Sequence, residues 1–250
     1  MAKIDKSNFS KEQWYKIREE RRREKQIKRL QEESSIAKQT PIASTRHPIP
    51  SRDVNKDLCF VLGNGTSRSA INPEDIKPYG KIYGCNALYR SFNADYLVAV
   101  DVKMILEINK SGYQHNNEVW TNPNKSYQNI KNLNIFHPSK GWSSGPTALW
   151  LASQHSYNKI FILGFDYKGL EDGKLLNNLY ANTKNYKKSH EGATFFGNWL
   201  RQTISVVKEN PNTTYYRVIA SDNYIPEELN KFNNLKHIFV EDFQKMFSLS

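Results

Sequence analysis

The chain has 250 residues, of which 38% are hydrophobic and 12% aromatic, enough apolar material for one sizeable buried core. It contains no run of about eighteen apolar residues, and its amino terminus is polar and charged, so neither a membrane span nor a secretory signal is expected. Two cysteines and scattered histidines predict neither a disulfide framework nor a zinc site. A cytoplasmic location is the resulting prediction.

The formal net charge of +11 is distributed unevenly along the chain. Residues 1–57 hold 15 Lys and Arg against 9 Asp and Glu, and the remainder holds 21 against 16. A basic leading segment favours a polyanionic partner such as nucleic acid, through salt-sensitive attraction. The alternative is that the charge serves only solubility.

The first predicted element is a helix over residues 10–33. Ser10 and Gln13 have the spacing of a capping box, and strong helix formers follow without Gly or Pro. Its apolar positions are too sparse for a core stripe, so we expect a solvated or partner-binding helix. Residues 35–57 have linker composition, which makes 1–57 a basic appendage and 58–250 the globular domain.

From residue 58, short apolar runs alternate with helical patterns. The predicted strands, several apolar on both faces, are Leu58–Leu62, Lys81–Cys85, Tyr96–Val100, Glu118–Trp120, Leu133–Phe136, Lys159–Leu163, Thr214–Ile219 and His237–Val240. The predicted helices are Pro73–Lys77, Val102–Lys110, Gly145–His155 and Phe195–Glu209. This alternation predicts an α/β fold with a doubly wound, mostly parallel, Rossmann-like sheet and ligands at the carboxyl ends of its strands.

A glycine-rich turn follows the first predicted strand. It consists of Gly63, Asn64, Gly65, Thr66 and Ser67. Bare backbone amides in such a turn approach an anion closely, so we predict that it binds a nucleotide phosphate; the alternative is a tight strand exit without a ligand. Arg68 replaces the third glycine of a dinucleotide-binding turn, and no GxxxxGK[ST] occurs, so neither nicotinamide binding nor a P-loop is expected.

Polar residues also follow other predicted strands. They are Asn86, Asp101, Ser144, Gly145 and Asp166. Asparagine suits a base edge or ribose hydroxyls, and Ser144 with Gly145 at a helix start predicts a second anion site; the alternative is that these residues only cap turns. The two strand-end carboxylates either hold a magnesium ion that bridges phosphates or orient a ribose without metal.

His190 lies in a polar loop before the last long predicted helix, with Lys187 and Lys188 nearby. Histidine is the side chain best matched to proton transfer near neutral pH, and lysines are suited to a leaving phosphate. His190 is therefore the candidate general base. The alternative is a solvated loop histidine without a role.

The succession of these motifs resembles two related groups of enzymes. The segments that carry the likeness are Val61–Ser67, Tyr83–Asn86, Ser143–Gly145 and Lys159–Asp166. They resemble bacterial sialyltransferases that use CMP-sialic acid, and MptE-like proteins, which include a pterin pyrophosphokinase. The likeness spans roughly residues 58–240 and lies in the order of the motifs. The composition also resembles that of proteins from large bacterial viruses.

The resemblance implies roles for residues of this chain. Asn64 and the adjacent amides would face the nucleotide phosphate, Asn86 the sugar or base, Ser144 and Gly145 the nucleotide, and His190 the acceptor hydroxyl. The chain departs from the pattern at Thr66, where the family has proline, and at Lys168, near an expected tyrosine.

The leading hypothesis is a nucleotide-sugar-dependent glycosyltransferase with a CMP or UDP donor, His190 as base and no metal. The first alternative is phosphoryl or pyrophosphoryl transfer from ATP, with magnesium on Asp101 and Asp166. The second is a non-catalytic nucleic-acid-binding or assembly protein that acts through the basic helix. The glycosyltransferase and nucleic-acid-binding hypotheses combine in a sugar transferase whose basic helix brings it to DNA bases that carry hydroxyl groups.

Overall fold

The computed structural model describes residues 10, 13, 17, 57–192, 194–220 and 224–249. The chain divides into two compact units, Met1–Arg46 and His47–Ser250. In the first unit the Ser10 amide donates to Gln13 Oε1 over 2.9 Å, and the Gln13 amide donates to Ser10 Oγ over 3.2 Å. These are the two reciprocal bonds of a capping box, so that prediction is confirmed.

Most of the predicted helix at 10–33 and of the linker at 35–57 lies outside the described residues. The domain boundary after residue 57 and the nucleic-acid partner of the basic helix therefore stay predictions. Within the described ranges, no helix is long and apolar enough to cross a membrane.

The second unit is built on one sheet of eight parallel strands, each at or near a predicted position. The strands are β1 (Leu58–Leu62), β2 (Lys81–Cys85), β3 (Tyr96–Val98), β4 (Val119–Thr121), β5 (Asn134–Ile135), β6 (Lys159–Leu163), β7 (Thr214–Ile219) and β8 (Leu235–Phe239). Their order across the sheet is β5-β4-β3-β2-β1-β6-β7-β8. The predicted α/β, Rossmann-like architecture is confirmed.

The strand order reverses at β1, which pairs with β2 on one side and with β6 on the other. In open parallel sheets, ligands bind in the crevice outside the carboxyl ends of the strands at such a reversal. The glycine-rich turn after β1 and residues 164–166 after β6 lie at this crevice.

With one exception, the helices of the described ranges pack on the two faces of the sheet. They are α1 (Pro73–Ile76), α2 (Val102–Ser111), α3 (Ser144–Gln154), α4 (Leu170–Gly173), α5 (Gly197–Glu209) and α6 (Val240–Met246). The exception, the short element α4, buries no residue, and its Glu171 and Asp172 have left-handed φ values of 48° and 55°. Short 3-10 turns occupy Thr66–Arg68, Lys77–Tyr79, Asn86–Arg90, Tyr113–His115, Lys125–Tyr127 and Glu227–Lys231. The helices α4 and α6 were not predicted, and Val240, expected to end the last strand, begins α6. Both are too short to show a helical period.

Alternate side chains along the strands feed two hydrophobic clusters, one on each face. Phe60 and Leu62 pack with α2 on one face. Cys59 and Val61 pack with α3 and α5 on the other. Cys59 and Cys85 are free and buried, so they act as small hydrophobic residues.

Candidate functional site

The glycine-rich turn packs against the end of β6. The Gly63 amide donates to the Leu163 carbonyl over 2.8 Å, and the Gly65 amide donates to the Gly164 carbonyl over 2.9 Å. A Cβ added to Gly63 would lie 2.5 Å from the Gly164 carbonyl oxygen. Glycine at position 63 is therefore required by the close approach of two strand ends.

The next two amides of the turn are paired with side chains. The Thr66 amide donates to Asn177 Oδ1 over 2.8 Å, and the Ser67 amide donates to Asp166 Oδ2 over 3.1 Å. The Ser67 hydroxyl donates to the other oxygen of the same carboxylate. The Asp166 carboxylate therefore occupies the position in which the sequence predicts a phosphate.

This pairing corrects one expectation. Four of the five amides of the turn are hydrogen-bonded within the protein, at Gly63, Gly65, Thr66 and Ser67. A phosphate reaches the last two only if it displaces Asn177 and Asp166. The physical reason is that acceptors from β6 and from the segment after it complete the turn before any ligand does.

Two asparagines and a tyrosine meet beside the turn. Asn64 Nδ2 donates to the Tyr186 hydroxyl over 3.2 Å, and the Ala87 amide donates to the same hydroxyl over 3.3 Å. The side-chain oxygens of Asn64 and Asn86 are buried and have no hydrogen-bond partner among the described residues. Since buried polar atoms are ordinarily paired, these two oxygens indicate a missing partner, either water or a ligand.

Asn86 also has a backbone φ of 51°, in the left-handed region. Non-glycine residues in this region cost free energy and concentrate at functional sites. The structure thus brings together two of the predicted nucleotide-binding residues, Asn64 and Asn86, and gives both an unusual environment.

A pocket of about 410 Å³ opens at the carboxyl ends of β2 and β3. It is lined by Asn86, Asp101, Val102, Lys103, Met104, Asn185 and Tyr186. Asp101 precedes α2, yet its exposed side chain does not cap that helix. The volume lies in the range of small-molecule sites, and the lining offers one carboxylate, one ammonium and two amides to a ligand.

Ser144 and Gly145 begin α3 at the same edge of the sheet. The Ser144 hydroxyl accepts a hydrogen bond from the Val100 amide over 3.1 Å, and a Cβ on Gly145 would lie 3.4 Å from the Phe165 ring. Ser144 thus fixes the backbone at Val100, two residues after the end of β3. The second anion site predicted here stays a prediction.

His190 lies on an exposed turn of the segment 174–192. The base of this segment is closed by a bridge between Leu175 and Gly192 and by a bond of 3.1 Å from the Leu176 amide to the Glu191 carbonyl. No hydrogen bond joins the His190 ring to the described residues of the turn or the pocket. Its catalytic role stays a prediction.

The two strand-end carboxylates have different surroundings. Both oxygens of Asp166 accept hydrogen bonds from Ser67, whereas Asp101 lines the pocket. The part of the chain that is described contains no group of three or more His, Cys, Asp and Glu side chains able to hold a metal ion. The shared magnesium site of the phosphoryl-transfer alternative, on these two carboxylates, stays a prediction.

Another histidine, His155, lies in the core. Burial lowers the pKa of His155 to about 4, and its Nδ1 shares a hydrogen bond with the Tyr83 hydroxyl. Burial also raises the pKa of Tyr83, so the hydroxyl keeps its proton. His155 is therefore neutral at neutral pH, and its hydrogen bond with Tyr83 orders the core.

Residues that shape the site were missed by sequence reasoning. Asn177 contacts Thr66 across 111 positions, and Arg90 contacts Thr183 across 93. Glu107, on α2, contacts Asn185 across 78. No local spacing marks such pairs, although the crowding of tyrosines at 167, 180 and 186 does mark the segment to which the partners belong.

Compared with known proteins, the chain matches no family model, no curated protein sequence and no solved structure. The likeness to bacterial sialyltransferases and MptE-like proteins therefore stays a prediction that rests on the order of the motifs.

Proposed function

We propose that the chain is a nucleotide-dependent transferase, with a nucleotide-sugar-dependent glycosyltransferase as the leading form. The observation that carries the proposal is the pair of buried oxygens on Asn64 and Asn86 beside the pocket, which have no partner in the part of the chain that the structure describes. Ribose and sugar hydroxyls are donors that such oxygens lack. The position of the pocket, at the carboxyl edge near the strand-order reversal, supports the same reading.

The donor phosphate is placed beside Lys103 in this proposal. Lys103 lines the pocket, and its ammonium is suited to a phosphate oxygen and to the charge that develops as the nucleotide leaves. The glycine-rich turn then acts by holding Asn64, since the amides of Gly63, Gly65, Thr66 and Ser67 are already paired.

In the transfer itself, the acceptor oxygen forms a bond to the anomeric carbon while the bond from that carbon to the phosphate breaks. A general base takes the proton of the acceptor hydroxyl. His190 is the candidate, on the same segment that supplies Asn185 and Tyr186 to the pocket. A His190→Ala protein that kept full turnover would remove it from this role.

The first test is the thermal stabilisation of the protein by CMP, UDP, GDP and ATP, each with and without magnesium. A ligand that binds only the folded state raises Tm by mass action. We expect a magnesium-independent rise with CMP or UDP that is reduced in Asn86→Gly and kept in the control Asn124→Ala, which alters an exposed turn. Absence of any rise in the wild-type protein would contradict the proposal.

A second candidate, phosphoryl or pyrophosphoryl transfer from ATP, is favoured by one observation. The Asp101 carboxylate lines the pocket and is not used to cap α2, so it is available to a magnesium ion that accompanies a triphosphate. A rise of Tm with ATP that requires magnesium and is lost in Asp101→Asn would select this function over glycosyl transfer.

A further inference from the structure

The pocket has two walls that come from distant parts of the chain. Asn86 and residues 101–104 form the first wall, and Asn185 and Tyr186 form the second. The second wall belongs to a largely exposed stretch, in which residues 182–185 and 187–192 are all exposed. We call residues 183–186 the strap.

Arg90 ties the strap to the first wall. Its Nη1 donates to Thr183 Oγ1 over 2.7 Å, and its Nη2 donates to the Lys184 carbonyl over 2.8 Å. The guanidinium also lies over the Tyr186 ring, 5.7 Å from the centroid. One side chain therefore contacts three of the four strap residues.

Glu107 on α2 completes the connection. Its Oε1 accepts from Arg90 Nε over 2.8 Å and from the Tyr89 hydroxyl over 2.6 Å, and its Oε2 accepts from Asn185 Nδ2 over 2.6 Å. The side chains of Arg90 and Glu107 are only 22% and 12% exposed, so water screens this pair less than a surface pair. All four strap residues are thus held by two charged side chains.

The strap also restricts the entry of a ligand into the pocket. The oxygens of Asn64 and Asn86 are buried while Tyr186 is hydrogen-bonded to Asn64 and Ala87. A ligand that pairs with these oxygens therefore enters only after the strap has moved. The movement breaks the contacts made by Arg90 and Glu107.

We propose that Arg90 and Glu107 are positioning residues that latch the strap over the pocket, and that opening of this latch admits and releases the ligand. The identity of the ligand rests on the proposed function. The latch itself does not, because it is defined by contacts within the protein.

Limited trypsin digestion of the full chain tests the latch without any ligand. Lys184, Lys187 and Lys188 are exposed on and beside the strap, and cleavage after each is followed by mass spectrometry. We expect Arg90→Gln to speed this cleavage at least about fivefold, because local opening exposes the backbone to the protease. Cleavage at the wild-type rate in Arg90→Gln would overturn the proposal.

Two further variants keep the result interpretable. Lys81→Gln removes a comparable ion pair, Lys81 with Asp95 at 2.8 Å, from the other end of β2, and should leave strap cleavage unchanged. Arg90→Lys keeps the charge but not the fork that reaches both Thr183 Oγ1 and the Lys184 carbonyl, and should speed cleavage less than Arg90→Gln does. If Arg90→Gln does not fold, Arg90→Lys decides: faster cleavage supports the latch and an unchanged rate overturns it.

The same digestion is then repeated with ligand, using the nucleotide that gives the largest rise in Tm. We expect it to slow strap cleavage in the wild-type protein, and its Kd to rise about tenfold in Arg90→Gln and less in Arg90→Lys, which keeps the charge but not the fork. An unchanged Kd in Arg90→Gln would overturn the positioning role. If no nucleotide binds, the proposed function fails, and the cleavage rates still decide the latch.

Discussion

The glycine-rich turn and the pocket lie at the same edge of the sheet, yet their polar groups are satisfied in opposite ways. In the turn, amides and hydroxyls are paired with Asp166, Asn177 and the end of β6. At the pocket, Asn86 keeps a buried oxygen to which no described residue donates, and Asp101 does not cap its helix. The glycines after β1 thus allow the backbone to approach the end of β6 closely. Acceptor groups from other parts of the chain decide whether the amides of the turn remain available to a ligand.

The largest effect is expected at Gly63. Its added Cβ would lie 2.5 Å from the backbone oxygen of Gly164, which has no flexible side chain to move away. We expect Gly63→Ala to lower the free energy of unfolding by about 3 kcal/mol, measured by urea denaturation. Gly192→Ala is the control, because an added Cβ there meets nothing within 4 Å. Equal stability of the two variants would refute the structural role of the turn.

A smaller loss is expected when the internal anion is removed. Asp166→Ala leaves the Ser67 amide and hydroxyl without their acceptors, at a cost of about 2 kcal/mol. The vacated position should then accept an external anion, so inorganic phosphate should raise Tm more in this variant than in the wild-type protein. The control Asp242→Ala alters an exposed carboxylate. A phosphate response equal to that of the wild type would contradict the assignment.

The sequence predicts the positions of the strands well and the hydrogen-bond partners of the site residues poorly. The strands β1 and β6 are apolar runs that stand out locally, each of the eight strands lies at or near a predicted position, and polar residues at strand ends are correctly placed at one edge. What is missed depends on chain segments that meet only in the fold. The sequence places Asp166 at a strand end, but its pairing with Ser67, 99 positions away, has no local signature.

The contact between Glu107 and the strap is expected to depend on pH. Burial raises the pKa of Glu107, but hydrogen bonds from Tyr89 and Arg90 more than offset this and hold the pKa below its usual value. The lowered pKa means that Glu107 contributes stability above the unfolded value of about 4.3, and that this contribution is lost as pH falls through the folded value.

We therefore expect the strap amides to lose about 1 kcal/mol of protection from hydrogen exchange between roughly pH 6 and pH 3, after correction for intrinsic rates. Mass spectrometry of peptides that cover residues 182–188 measures it. In Glu107→Gln this dependence should disappear. Protection that falls equally in that variant would assign the change to other carboxylates.

The smallest effect on stability is expected at the pocket itself. Asn86→Gly removes an amide whose oxygen has no hydrogen-bond partner among the described residues, and glycine suits the φ of 51°. We expect the free energy of unfolding to change by less than about 0.5 kcal/mol. Nucleotide affinity, measured by calorimetry, should nevertheless fall. A large loss of stability would show that Asn86 is structural and would remove the contrast between the two regions.

The central position of β1 has a consequence for synthesis on the ribosome. Its partner β6 begins at Lys159, about a hundred residues after Leu58, so at 5–20 residues per second one edge of β1 waits on the order of ten seconds. During that interval the apolar strand presents an open hydrogen-bonding edge to other chains. Aggregation of the nascent amino-terminal half, and its relief by chaperones, should therefore limit the yield of this protein more than the stability of the finished fold does.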